Sequence, residues 1–199
     1  MTLAAGHRPW TLDEFLEWEE AQEEKYELVG GVIRAMVGGT VAHNMITGNI
    51  FSVLTTALRG SFGRVFIDGM KLVTRAKDVT YPDVIVSCGP AAPTDTRIED
   101  AVVIVEVLSR GTEGFDRGAK WLSYQSLPML RHYVLVAQDR MIVESYTRKR
   151  AWIYERLEGP NAILRLDAVD ASLALDEIYE GVSDPAALPR TPNRPEAEP

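Results

Sequence analysis

Apolar residues along this chain switch repeatedly between helical and strand periods. Thr11-x-x-Glu14 is a capping-box pattern, and Leu12, Phe15 and Leu16 behind it predict a short amphipathic helix. Tyr26–Val29 and Val32–Met36 are β-prone runs joined by Gly30-Gly31, a two-residue hairpin signal. From Val41 to Arg59 the apolar positions Ile46, Ile50, Val53, Leu54, Ala57 and Leu58 return at helical spacing. Arg64–Asp68 and Met70–Thr74 read as a further pair of strands, followed by Tyr81–Cys88, a polar loop from Gly89 to Glu99, and the continuous apolar run Ala101–Leu108. A run of that length rich in β-branched residues is what a strand covered on both faces looks like. After a loop from Ser109 to Gly114 the pattern predicts a helix over Phe115–Ser126, a strand over Arg131–Ala137 and a hairpin of Arg140–Thr147 with Ala151–Leu157. A short apolar segment, Ile163–Leu166, and a final helix near Leu175–Tyr179 follow.

This order implies an α/β fold, a mixed sheet flanked by helices, and not a strictly alternating doubly wound one. The Ala101–Leu108 strand, the 115–126 helix and the 131–137 strand should form a right-handed βαβ unit with parallel strands. Residues 1–182 read as a single domain. From Ser183 to Pro199 there are five prolines and little apolar content, a tail that cannot bury a core.

Composition narrows the function classes. The chain has 199 residues, and a domain of that size buries roughly 70% of its unfolded surface. No apolar stretch is long enough to span a membrane, and Met1–Arg8 lacks the charged start and apolar centre of a signal peptide, so a cytoplasmic address is expected. Cys88 is the single cysteine, which excludes an intrachain disulfide and a thiolate-rich zinc site. The net charge of −8 argues against a nucleic-acid partner until its location is considered: Thr11–Glu27 alone holds eight carboxylates against Lys25. The remainder is nearly neutral, with cations at Lys71, Arg75 and Lys77, at Arg110, Arg117 and Lys120, and at Arg148-Lys149-Arg150. That distribution permits phosphate contacts without demonstrating them.

Two acids carry the candidate chemistry. Glu106 lies inside an apolar strand, where an unpaired carboxylate would cost several kcal/mol or more, so it must be neutralised, paired or metal-bound. Asp83 opens the preceding strand just after Pro82, whose missing N–H suits a strand start. Two short strands that each carry one acid can frame a hard divalent cation. The plainer readings are a strand-entrance turn for Asp83 and a buried salt bridge to a helix Lys or Arg for Glu106. Asp116 and Lys120, four apart, share a helix face and form either a solvated ion pair or a cation projecting toward the strand ends. A phosphate loop, an H-E-x-x-H zinc motif and a histidine set for zinc are absent, and Cys88 reads as packing.

Tyr26-Glu27-Leu28, Tyr81-Pro82-Asp83-Val84, Val105-Glu106-Val107-Leu108-Ser109 and Asp116-x-x-x-Lys120, with Tyr124 and Tyr133-Val-Leu-Val136, together resemble a large bacterial family of proposed endonucleases. That family is a branch of the PD-(D/E)XK, restriction-endonuclease-like superfamily first known as a domain of unknown function, and the resemblance spans about Thr11 to Gly181. It implies a restriction-endonuclease-like core, with Asp83 as the motif aspartate and Glu106 as the second acid. The motif's lysine position falls on Leu108, so the basic residue is Lys120 of the following helix. Glu27 resembles an additional acid. His43 stands where the family often has a helix histidine, with a capping or core role as the alternative. The usual Ser-Pro-Ser-Thr loop is here Ser109-Arg110-Gly111-Thr112, without the proline.

The resemblance implies DNA phosphodiester hydrolysis assisted by Mg²⁺, with Mn²⁺ as an alternative. Asp83, Glu106 and the Val107 carbonyl would ligate the metal. Lys120 would orient and deprotonate a water, and Glu27 would serve a second metal or its waters. Lys120→Ala should then abolish cleavage and spare the fold. Two other readings stay open: a catalytically silent nuclease-fold binding module, with homodimerisation undecided, and a hydrolase of small phosphate esters. Trp121, Tyr124 and Tyr133 are expected in the core.

Overall fold

The computed structural model describes residues 8–36, 38–67 and 69–182. The expected Pro-rich tail from Ser183, and Asp68 at the end of one predicted strand, therefore lie outside the described residues.

Helix α1 (Leu12–Glu19) starts at the Thr11 capping box, and the hairpin β1 (Tyr26–Val29)–β2 (Val32–Ala35) turns through Gly30 and Gly31 at φ 60° and 75°. Both glycines occupy the left-handed region that a primed hairpin turn requires. Helix α2 (Val41–Ala57) is capped by Thr40. Strands β3 (Arg64–Ile67), β4 (Lys71–Val73), β5 (Val79–Thr80), β6 (Val84–Ser87), β7 (Arg97–Ile98) and β8 (Ala101–Leu108) follow. The chain then forms α3 (Glu113–Phe115), a π turn (Asp116–Lys120) and α4 (Trp121–Tyr124). Strands β9 (His132–Ala137), β10 (Ile142–Thr147), β11 (Tyr154–Glu158), β12 (Ile163–Leu166) and β13 (Ala171–Ala174), then α5 (Leu175–Ile178), complete the order.

A six-stranded sheet, β11-β10-β9-β8-β6-β3, forms the centre. Pairing of β8 with β9 is parallel and its pairing with β6 antiparallel, so the sheet is mixed, as the element order implied. Alternation along the strands sorts the core by face. Val84, Val86, Val103, Val105, Val134 and Val136 pack against Ile46, Ile50 and Leu54 of α2 and against the β12–β13 ribbon. Ile85, Ile104, Tyr133 and Leu135 point to the other face, against Tyr124, Leu127 and Leu130. A second sheet, β2-β1-β5-β4-β7, packs on α1 through Phe15, Leu28, Val73 and Val79.

Several expectations change. The strands β3 and β4 do not pair with each other but enter different sheets, the chain being redirected at Gly69 (φ 98°). The predicted polar loop contains β7, and β13 had no forecast at all. The predicted 115–126 helix starts at Glu113, is interrupted by the π turn and ends at Tyr124. Cys88 lies exposed just beyond β6 and is not a packing residue. Tyr124 and Tyr133 are fully buried; Trp121 is half-buried, stacked on Tyr133 at 5.1 Å.

Candidate functional site

The chain passes from one sheet to the other through Tyr81-Pro82-Asp83, between β5 and β6. This seam brings the predicted residues together. Val84 pairs with Val105, so Asp83, immediately before β6, arrives beside the end of β8, where Glu106 sits. The Val107 backbone N–H donates to Asp83 Oδ2 at 2.6 Å, tying the two strands. On the other side of Asp83, His43 Nε2 in the first turn of α2 lies 3.2 Å from the same oxygen. That hydrogen bond outweighs burial and raises the pKa of His43 above the usual histidine value.

Glu106 points to the face of the six-stranded sheet covered by Tyr124, opposite α2, and is 3% exposed. Tyr124 donates to its Oε1 at 2.7 Å, and Lys120 Nζ lies 3.2 Å from the same oxygen. The buried salt bridge to a helix lysine, one of the two readings open for Glu106, is therefore present. Lys120 is shared further: Nζ is 2.9 Å from Glu27 Oε1 and 3.3 Å from Asp116 Oδ1. Glu27 is itself anchored, because the Tyr81 backbone N–H donates to its Oε1 at 3.0 Å. Glu27, Glu106, Asp116 and Lys120 are all buried, so the i,i+4 pair on the helix is not a solvated one.

Both ends of that pair face inward within the π turn. Widening the helix by one residue rotates the following turn, and such turns recur at functional sites. Tyr133 fastens it by donating to the Asp116 carbonyl at 2.9 Å. Upstream, the loop that lacks the family's proline is held otherwise. Ser109 Oγ and Thr112 Oγ1 lie 3.0 Å apart, and the Thr112 N–H donates to Ser109 Oγ at 3.2 Å.

Three buried carboxyl groups surround one ammonium, with Asp83 adjoining, so acids outnumber cations in the centre. Burial pushes the Glu106 carboxyl well above the ordinary carboxylate range against the pull of Lys120, and burial raises Asp116 as well. For Lys120 burial acts downward, but Glu106, Glu27 and Asp116 outweigh it and hold the ammonium well above lysine's usual value. The surrounding carboxylates therefore favour the ammonium form of Lys120.

Does this donor set suit a hard divalent cation? Among the described residues no three His, Cys, Asp or Glu side chains already share one coordination point, since Lys120 occupies the middle of three of the acids. Mg²⁺ needs fewer, keeping several waters and taking one or two carboxylates. The hydrogen bonds that Glu106 accepts go to Oε1, and those that Asp83 accepts go to Oδ2. One oxygen of each remains without a protein partner among the described residues, in a centre short of positive charge. The residues fit the ion.

The sequence named Asp83, Glu106, Lys120 and Glu27, and the structure gathers all four. It adds Tyr124 as a direct contact of the centre and makes Asp116, paired with Lys120 by spacing, a buried member of it. Their signal was the spacing Asp116, Lys120, Tyr124 along one helix, which alone does not distinguish a core tyrosine from one aimed at a carboxylate.

The profile of a family described as "Putative restriction endonuclease", Uma2, matches residues 12–176. Two uncharacterised proteins of Synechocystis sp. are similar. One is 33% identical over 175 residues, covering 86% of this chain and 92% of its own. The other is 31% identical over 168 residues, covering 81% and 95%. A protein of Anabaena variabilis, described with its crystal structure as a putative nuclease, aligns with a TM-score of 0.68 at 19% identity, over 86% of this chain and 98% of that one. Identity that low speaks to the fold alone, and it bears out the expected restriction-endonuclease-like core.

Proposed function

Because this chain belongs to the Uma2 family of putative restriction endonucleases, we propose that it is an endonuclease hydrolysing DNA phosphodiester bonds with a divalent metal. The observation that carries this reading is the carboxylate centre, in which Asp83 and Glu106 each keep one oxygen without a protein partner among the described residues, beside the Lys120 ammonium. Asp83, Glu106 and the Val107 carbonyl would hold Mg²⁺, or Mn²⁺, with waters completing the shell. When bound, the ion supplies Lewis-acid polarisation of a phosphate oxygen and a lowered pKa for a coordinated water. Lys120 contributes positive charge where a phosphate gathers negative charge. Glu27, tied to the Tyr81 N–H, positions Lys120. His43 orients Asp83.

One observation favours a second reading, a silent binding module with a nuclease fold: Lys120 already neutralises part of the centre without a metal. The two separate on Mg²⁺ calorimetry and plasmid nicking by the parent, Asp83→Asn and Glu106→Gln. Both replacements are isosteric, and the amide oxygen introduced by Glu106→Gln would still accept from Tyr124. The endonuclease reading expects metal binding and nicking in the parent and loss of both in the two folded variants. A parent that binds no metal and nicks no DNA at any divalent concentration establishes the binding module instead.

A further inference from the structure

At the edge of the six-stranded sheet away from the carboxylates lies a cavity of about 420 Å³ lined by Arg131, His132, Thr147, Arg148, Lys149, Asp167 and Ala168. Its floor is the start of β9 beside the end of β10, where His132 pairs with Thr147. Glu106 stands opposite Leu135 and His132 opposite Val103, three residues apart along the ladder or roughly 10 Å. The cavity is therefore separate from the carboxylate centre.

Its charge is unbalanced. Three cations meet a single carboxylate, Asp167, and among the described residues no acid pairs with Arg131, Arg148 or Lys149, whereas neighbouring Arg150 is paired with Glu155 at 3.2 Å. The Arg148 guanidinium donates to the carbonyls of Leu127 and Gln125 and lies 4.9 Å over the Trp152 ring, yet its Nε is buried without an acceptor. Arg131 donates to the Pro128 and Leu130 carbonyls, again with no carboxylate. Both guanidiniums are thus held in place by carbonyls, which orient them without cancelling their charge. His132 is fixed in the floor at both ring nitrogens: the Ala168 N–H donates to Nε2 at 3.4 Å, and Thr147 Oγ1 lies 3.5 Å from Nδ1.

We infer that this cavity binds a phosphate group carried by a ligand of nucleotide size. Preplaced arginines beside a lysine favour an anion with several acceptor oxygens over a single carboxylate. The volume falls in the range of small-molecule sites and exceeds what one phosphate fills. The phosphate belongs to a free nucleotide or to a nucleic-acid strand, and the inference stands whether or not the carboxylate centre is catalytic.

The test is titration in metal-free buffer, followed by calorimetry and tryptophan fluorescence, with inorganic phosphate, adenosine 5′-monophosphate, adenosine and a ten-nucleotide single-stranded DNA. Each titration is run on the parent, Arg131→Gln, Lys149→Gln and Glu106→Gln. Adenosine monophosphate should bind and adenosine should not. Arg131→Gln and Lys149→Gln should each weaken binding about tenfold while remaining folded, and Glu106→Gln should leave it unchanged. Competition by the oligonucleotide assigns the phosphate to nucleic acid; binding of the mononucleotide without competition assigns it to a free nucleotide. The inference is overturned if no phosphate-bearing probe binds, if adenosine binds as well as its monophosphate, or if both cavity variants bind like the parent.

Discussion

Lys120 touches three carboxylates from three different parts of the chain, and its removal tests what one ammonium is worth in a buried centre. Glu106 and Asp116 both have raised carboxyl pKa values in the folded protein, chiefly from burial. A carboxyl with a raised folded pKa favours folding below its unfolded pKa, and that advantage is lost as pH rises through the folded value. In the parent Lys120 offsets this loss. Lys120→Met should therefore cost about 3–5 kcal/mol near pH 8, the usual penalty for stripping a buried charge of its partner. The cost should shrink toward pH 4–5, where the acids take up protons. Urea denaturation of both proteins across that range measures the gap, and a pH-independent difference would show that the acids do not titrate against Lys120. Because Lys120→Ala would strip the same three carboxylates of their cation, Glu106→Gln and Asp83→Asn are the safer functional variants.

At the scale of elements, the regularities that periodicity reads well are those with one backbone geometry throughout. The β1–β2 hairpin depends on its two glycines differently. Gly31 has φ 75°, and a Cβ there would stand 2.4 Å from Pro9 Cβ; Gly30 has φ 60° and open space around it. Gly31→Ala should destabilise by more than about 1 kcal/mol, whereas Gly30→Asn should be nearly neutral, because asparagine tolerates the left-handed region. Chemical denaturation of the two variants checks the contrast, and equal losses would refute it. The 113–124 helical stretch is where periodicity misleads. One extra residue in the π turn leaves the sequence looking helical while rotating Asp116 relative to Trp121, and no local residue type announces the change.

At the scale of the molecule the carboxylate centre joins the two sheets: Glu27 comes from β1, Glu106 from β8, and Lys120 from the helical stretch over the larger sheet. A cation held there would bind the folded chain and not the unfolded one. At tenfold its dissociation constant Mg²⁺ should add about 1.4 kcal/mol and raise Tm by about 3–5 °C. The rise should be absent in Glu106→Gln, and should appear equally in the near-ultraviolet signals of the tryptophans packed on each sheet, Trp18 and Trp121. An equal rise in parent and variant would assign the effect to non-specific salt.

The apolar runs and punctuation of this chain specify most helices and strands, the mixed sheet, and the singling out of Glu106, because an acid inside an apolar strand is legible one residue at a time; Lys120, as the site's basic residue, and Glu27 entered through the family resemblance. Glu27 shows the limit. In the sequence it is one of eight acids crowded before the first glycine pair, and nothing local separates it from Glu23 or Glu24, which stay exposed while Glu27 is buried. The separation of β3 from β4, the pairing of β12 with β13, the inward turn of Asp116 and the cations gathered around His132 were likewise settled only on folding. Each depends on a partner far along the chain, and the free energy that selects such a partner comes from burial and charge pairing between segments that no local pattern contains.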